Sequence, residues 1–350
     1  MNANSTVTGV DPTNQSSDAT NDTPTRYIEI APDGDFFLAL LSAKHHLKVN
    51  SHILGNASKP FKDLFSPFFQ DGQTLAPGEP KTIPLPDDVW GVHIICSHIH
   101  CRNELVPVHM GPRQILEAAI ATHKWGCMNA MQFPFAKWLN PAGEKDMSTL
   151  ACLMVSAYIL SQPEAFRVIT LAMMEHAEGS FCPYALYINT INNTINTVVP
   201  KDVVWRIMFY LEDSRSKLYA QLGQILEFGR ADAGQDPENC LCQWSARHSA
   251  AYSRLLASQG LGPAQMHGIS VHNLYKKIDS LSSFPLVLRY CANGAHKNPQ
   301  YNENRDRRLA SLSTRSDGLC LDCILKEVTG QTGDCRIHPA EFVLQHTDMA

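Results

Sequence analysis

The sequence predicts an α+β chain. A unit of short strands plus a helix cluster comes first, an all-helical region follows, and a Cys/His-rich, zinc-stabilised helical region ends it. Three observations carry this. Tyr27-Ile28-Glu29-Ile30 alternates as a strand does, two further short strand-like runs follow by Val49, and apolar spacings of three and four then take over. From Ser148 the apolar patterns are helical. Six of the eleven cysteines fall after residue 239, mostly in close pairs with one another or with histidines.

The elements follow in order. Residues 1–25 are Asn, Ser, Thr and Asp with almost nothing apolar, a composition that buries too little surface to offset ordering entropy, so a disordered tail is expected. Tyr27-Ile28-Glu29-Ile30 reads as a strand, Pro32-Asp33-Gly34 as a turn, and Phe36 to Leu40 as a second strand, which predicts a hairpin. Leu47-Lys48-Val49 is a third strand. Ile53, Leu54 and Ala57, then Phe61, Leu64, Phe65 and Phe68, form successive helical turns. Residues 71–80 are a loop, and Pro84 and Pro86 hold Ile83 and Leu85 extended. Asp87 or Asp88 can cap a helix bearing Val89, Val92, Ile95, Cys96 and Ile99. Further helices start at Pro112 and around Met131, and Pro141-Ala142-Gly143 closes a unit spanning 26–140. A helical region over 148–230 contains two apolar-striped segments around Pro163 and a long helix from Asp202 to Phe228, interrupted on its apolar face by Arg215. The Cys/His-rich region spans 237–345.

Composition narrows the function. The chain has 350 residues, 44% hydrophobic and 18% charged, which is globular stock. A net charge of −5 argues against retention on nucleic acid or anionic membrane by bulk charge. No apolar run reaches the roughly 20 residues that span a bilayer, and the first residues have neither a basic start nor an apolar stretch. An intracellular chain, in cytoplasm or nucleus, with reduced thiols is expected. There is no phosphate loop, dinucleotide fingerprint or nucleophile elbow, so no enzyme is predicted.

The stretch Val49-Asn50-Ser51-His52-Ile53-Leu54-Gly55-Asn56-Ala57-Ser58-Lys59-Pro60-Phe61-Lys62-Asp63-Leu64-Phe65 resembles the central signature of BTB/POZ domains, in particular those of filamentous-fungal proteins. So do Ile83-Pro84-Leu85-Pro86-Asp87-Asp88, Ile99-His100-Cys101-Arg102-Asn103-Glu104-Leu105-Val106-Pro107, the helix from Ile115 to Cys127, and Phe135-Ala136-Lys137-Trp138-Leu139. The resemblance covers residues 26–140 and implies protein–protein interaction: self-association through N-terminal strands and the first helix, giving a homodimer, or adaptor service to a cullin ubiquitin-ligase scaffold. Transcription-factor members carry a charged pocket, an Asp near the first strands with a Lys or Arg in the signature helix. Asp35 fits the first role, whereas Ser51 stands at the second. The hydrophobic-x-Glu element of cullin binders corresponds to Phe69-Gln70-Asp71, in which Phe69 and Asp71 are the candidate partner-binding residues and the shorter acid departs from the pattern. Phe69 in the core and Asp71 opening a turn is the plainer account of the same residues.

The cysteines and histidines form four pairs: Cys240 with Cys242, Cys291 with His296, Cys320 with Cys323, and Cys335 with His338. Two ligands a few positions apart can curl around one tetrahedral Zn²⁺. Cys320, Cys323, Cys335 and His338 make the stronger set; Cys240, Cys242, Cys291 and His296 the weaker, with His248 competing for the fourth place. A closed structural zinc site is the expectation, its role being folding. Cys96, Cys101, Cys127, Cys152 and Cys182 stand singly and read as small buried hydrophobes. The alternative function is a nucleic-acid-associated regulator. Its support is a cluster of Arg305, Arg307, Arg308 and Arg315, broken by Asp306 and flanked by Glu303, for which a solvated surface is the better account.

Overall fold

The computed structural model describes residues 25–40, 44–66, 80–191, 198–231, 243–266, 268–281, 301–315, 317–330 and 335. It is α+β, with a small sheet at the N-terminal end and helices after it. The strands are β1 (Arg26–Glu29), β2 (Phe36–Leu40), β3 (His45–Val49) and β4 (Lys81–Leu85), in the order β1-β3-β2-β4.

The expected hairpin is displaced by one strand. β2 and β3 form the antiparallel pair, with Leu38 opposite Leu47, while β1 lies parallel to β3 with Tyr27 opposite His46. Alternation tells which face a side chain occupies and is silent on which strand lies next door. The local geometry supplies the reason. The amides of both Ile30 and Ala31 donate to the Lys48 carbonyl, so the chain leaving β1 stays on β3. It then turns at Gly34, where a Cβ would stand 2.7 Å from the Val49 carbonyl oxygen. β4 runs parallel to β2 at the other edge, where a strand containing a proline belongs. Phe36, Leu38, Leu40, Leu47, Val49, Ile83 and Leu85 point into the core. On the outer face the rings of Tyr27, Phe37 and His46 meet at centroid distances of 4.9 to 6.0 Å.

The core side of the sheet is covered by capped helices. Asn50 caps α1 (Ser51–Ala57) by accepting the amides of His52 and Ile53, and Ser58 caps α2 (Lys59–Phe65) through Phe61. Asp88, not Asp87, caps α3 (Val89–Ile99); Asp87 instead meets Lys124 at 2.7 Å. His100 then ties the end of α3 to the start of α1. Its Nε2 accepts the Asn50 amide at 3.0 Å and its Nδ1 donates to the Cys96 carbonyl at 2.7 Å, which fixes a neutral ring. Next come α4 (Pro112–Lys124), α5 (Met128–Trp138), α6 (Met147–Ile159), α7 (Pro163–His176) and α8 (Cys182–Ile191). α6 is buried almost all round, as its largely apolar sequence demands, with the buried Ser156 hydroxyl donating to the Cys152 carbonyl at 2.8 Å.

The helix expected over Asp202 to Phe228 is α9 (Lys201–Ala231), 31 residues and about 46 Å long at 1.5 Å per residue. Its first half, from Val203 to Leu211, belongs to the same core as the sheet, which extends without a break through α4 to α8. Leu222, Ile225 and Leu226 belong to a second core shared with α10 (Trp244–Ser258), α12 (Val271–Asp279) and α13 (Tyr301–Arg315). The short α11 (Pro263–Met266) lies between α10 and α12. Arg215 sits where the two cores meet. It is 6% exposed, its guanidinium lies 4.6 Å from the Phe181 ring centre, and it donates to the carbonyls of Ala177 and Gly179 at the end of α7 and to Glu212. The charge that breaks the apolar stripe in the sequence therefore fastens α7 to α9. No helix among the described residues is long and apolar enough to cross a membrane.

Arg215→Ala is expected to destabilise the protein by about 2–4 kcal/mol, because two carbonyls lose a charged donor and the space over Phe181 opens. Arg206→Ala, at an exposed position on the same helix, is expected to stay within about 0.5 kcal/mol in the same urea titration. Burial also holds His93 and His100 below the ordinary histidine value of 6.5. A depressed histidine binds its proton more weakly in the native state than in the unfolded one. Their contribution is therefore complete above pH 6.5 and is lost as pH falls below it. The urea midpoint should drop on that acid limb, and less steeply in His100→Gln.

Candidate metal centre

Near the C-terminal end the chain builds a small sulfur cluster. Cys320 is the N-cap residue of α14 (Leu321–Thr329), and Cys323 follows one turn later. Positions three apart share a helix face, so both sulfurs point the same way. α14 ends at Gly330, whose φ of +67° suits glycine best. Cys335 returns to the start of the helix, with its sulfur 3.4 Å from that of Cys320 and 3.7 Å from that of Cys323. The three ligand atoms all lie within 4.8 Å of one another. A tetrahedral ion with metal–sulfur bonds of about 2.3 Å holds its sulfurs about 3.8 Å apart, so the donor set fits a metal ion. Burial and the neighbouring sulfurs push the thiols of Cys320 and Cys323 up, the latter to about 12. Three thiols so close resist becoming three thiolates unless a cation supplies the opposite charge.

The cluster is seated firmly on the helical body. Leu321 and Ile324 enter the first core, and Leu319, Leu325 and Val328 pack against it. The Leu319 amide donates to the Thr170 hydroxyl at 2.9 Å, and that hydroxyl in turn donates to the Phe166 carbonyl. Arg167 pairs with Asp317. Gly318 crosses α7 so closely that a Cβ would lie 1.7 Å from the Arg167 carbonyl oxygen. On the other side the Glu327 carboxylate bonds to the Tyr210 hydroxyl, and burial together with that bond pushes the phenol up to about 12. Sequence spacing found the three cysteines. It missed Arg167 and Thr170; Gly318, two residues before the first ligand, reads in the sequence as a turn, and its close crossing of α7 is what the sequence does not show.

The remaining sequence candidates divide as follows. His338, Cys240, Cys242, Cys291 and His296 lie outside the described residues, as do Phe69 and Asp71. His248 is buried on α10 with its ring stacked on Trp244 at 4.7 Å. Cys96, Cys127 and Cys152 are buried, and burial raises their thiols, the last two to about 11, which keeps them protonated. Cys101 and Cys182 are exposed, contrary to the expectation of burial. Cys101 occupies a positive-φ position, 60°, just after α3, and Cys182 opens α8, so both stand at helix ends rather than on apolar faces. In the basic cluster, Arg305 is committed to the Leu281 carbonyl and to Asp306. Asp35 and Ser51 do come together: the Asp35 carboxylate accepts the Ser51 amide at 2.8 Å and the Ser51 hydroxyl at 2.5 Å. Serine thus completes with hydrogen bonds a position that a cation would fill with charge.

Comparison of the chain with protein-family models, with curated proteins and with solved structures finds no match.

Gly318→Ala is expected to weaken metal retention about tenfold or more, and to lower the midpoint of thermal unfolding, without altering any ligand. A competition titration with a chromogenic chelator measures it. Cys320→Ser combined with Cys323→Ser should remove the metal altogether.

Proposed function

We propose that this chain is a non-catalytic protein–protein interaction module of the BTB/POZ type. It self-associates through its N-terminal strands and first helix, and its C-terminal region is stabilised by a structural zinc ion. The observation that carries the reading is the state of the β1 edge. Among the described strands β1 is an edge with one neighbour, β3, and its Tyr27 is 63% exposed in an aromatic group with Phe37 and His46. The opposite edge is formed by β4, where Pro84 lacks the N–H that a further strand would need. Among the described strands, β1 is therefore the edge better suited to accept another chain. Ile53 on α1, the first helix of the unit, is 40% exposed. The element order, three strands followed by a helix pair, a further strand and helices, agrees with that expected from the signature residues.

Zinc suits the sulfur cluster because it takes thiolates in a closed tetrahedral shell, with Cys320, Cys323 and Cys335 as three ligands and His338 as the fourth. When bound, the ion supplies no reaction step; it fixes the return of the chain from Gly330 to Cys335. The chain's own residues supply the seating, through Gly318, Thr170 and Leu321.

Sedimentation velocity of the full chain tests the association. A dimer that forms at micromolar concentration and weakens about tenfold or more in Tyr27→Asp is expected. A chain that stays monomeric at high micromolar concentration, with Tyr27→Asp indistinguishable from the unaltered protein, contradicts self-association.

A further inference from the structure

We infer that His176 and His272 form an acid-sensitive latch between the two hydrophobic cores. His176 is the last residue of α7, whose Phe166, Ile169, Met173 and Met174 belong to the first core. His272 lies in the first turn of α12, whose Val271, Leu274 and Ile278 belong to the second. The two rings meet with centroids 4.9 Å apart and planes at 58°. Neutral imidazoles pack well in this arrangement. Two imidazolium ions do not, because like charges at that distance repel and the partly buried seam screens them poorly.

The surrounding charges sharpen the effect. His176 faces His272 and Lys276 from α12 and Lys145 from the segment before α6, all of which oppose a positive charge on it. Glu175, half-buried on α7, faces His272, and burial raises its carboxyl above the ordinary value. From α9, Arg215 and Glu212 pair with each other at the end of α7, and Glu178 faces Tyr219. The C-terminal dipole of α7 would welcome a cation at His176. Burial and the three cationic neighbours act the other way, and the net direction is a depressed proton affinity. As pH falls, a proton on His176 meets burial and the facing ring 4.9 Å away, so the charged state of this pair favours separation of α7 from α12. α9 still runs through both cores, and the Tyr219 hydroxyl still donates to the Ile269 carbonyl. The opening is consequently local to α12 and its flanks.

Hydrogen exchange of the full chain, followed by mass spectrometry at about pH 7.5 and about pH 5.5 and corrected for intrinsic exchange, tests this. The expected result is a loss of protection over residues 271–279 of roughly five- to tenfold at the lower pH, the low end of ordinary coupling between sites. α6 should lose less. In His176→Gln the excess loss over 271–279 should disappear, and His272→Gln should remove it as well. His248, also depressed by burial in the second core, is intact in both variants, so any response it causes survives them. Equal protection at the two pH values in the unaltered protein overturns the latch, and so does an excess loss that persists in either variant.

Discussion

The long helix α9 is the constraint on which the rest of the architecture depends. A single rod of 31 residues passes from one hydrophobic core into the other, and Leu218 packs against both. Because the rod is continuous, the two cores are coupled through its backbone hydrogen bonds and not by a linker. Arg215 converts that proximity into a fixed joint by reaching the carbonyls at the end of α7 and lying over Phe181. The position of α7 then decides where the cysteine-bearing turn rests, since Gly318, Leu319 and Asp317 are all placed by α7 residues.

This arrangement separates two kinds of contribution to the sulfur cluster. Local chemistry brings Cys320 and Cys323 to one helix face, and a helix N-terminus is a natural place for a charged sulfur. Packing does the other half. Leu321 and Ile324 are buried among core residues, so the helix that carries the ligands is oriented before any ion arrives. The three sulfurs are thus presented by a helix whose other face is already packed. The surface proposed for association lies in the N-terminal unit, on β1, which among the described strands pairs with β3 alone.

Much of this was legible in the residues, and the limits have physical causes. Periodicity located the helices, since a side chain's spacing along a helix fixes its face; α6 and α9 follow from it nearly to their ends. The Cys320–Cys323 spacing announced a shared ligand face, and Cys335 followed as the nearest further sulfur. Pairing of strands was not legible, because alternation in Tyr27 to Ile30 is satisfied equally by a neighbour on either side. Nor was the seating of the cluster, which depends on Thr170 and Leu319, residues 149 positions apart. The role of Arg215 was visible only as an interruption; the carbonyls it satisfies are 36 and 38 residues away in sequence. The exposed Cys101 and Cys182 show the same limit, since a lone cysteine carries no pattern that reports its burial.

Native mass spectrometry of the full-length protein, purified without chelator, tests the central claim most directly because subunit count and bound metal are read from one spectrum. A dimer carrying at least one zinc ion per chain is the predicted result. A metal-free monomer would contradict both halves: the cysteines would then be a packed thiol cluster, and the open edge of β1 would have no second copy to receive.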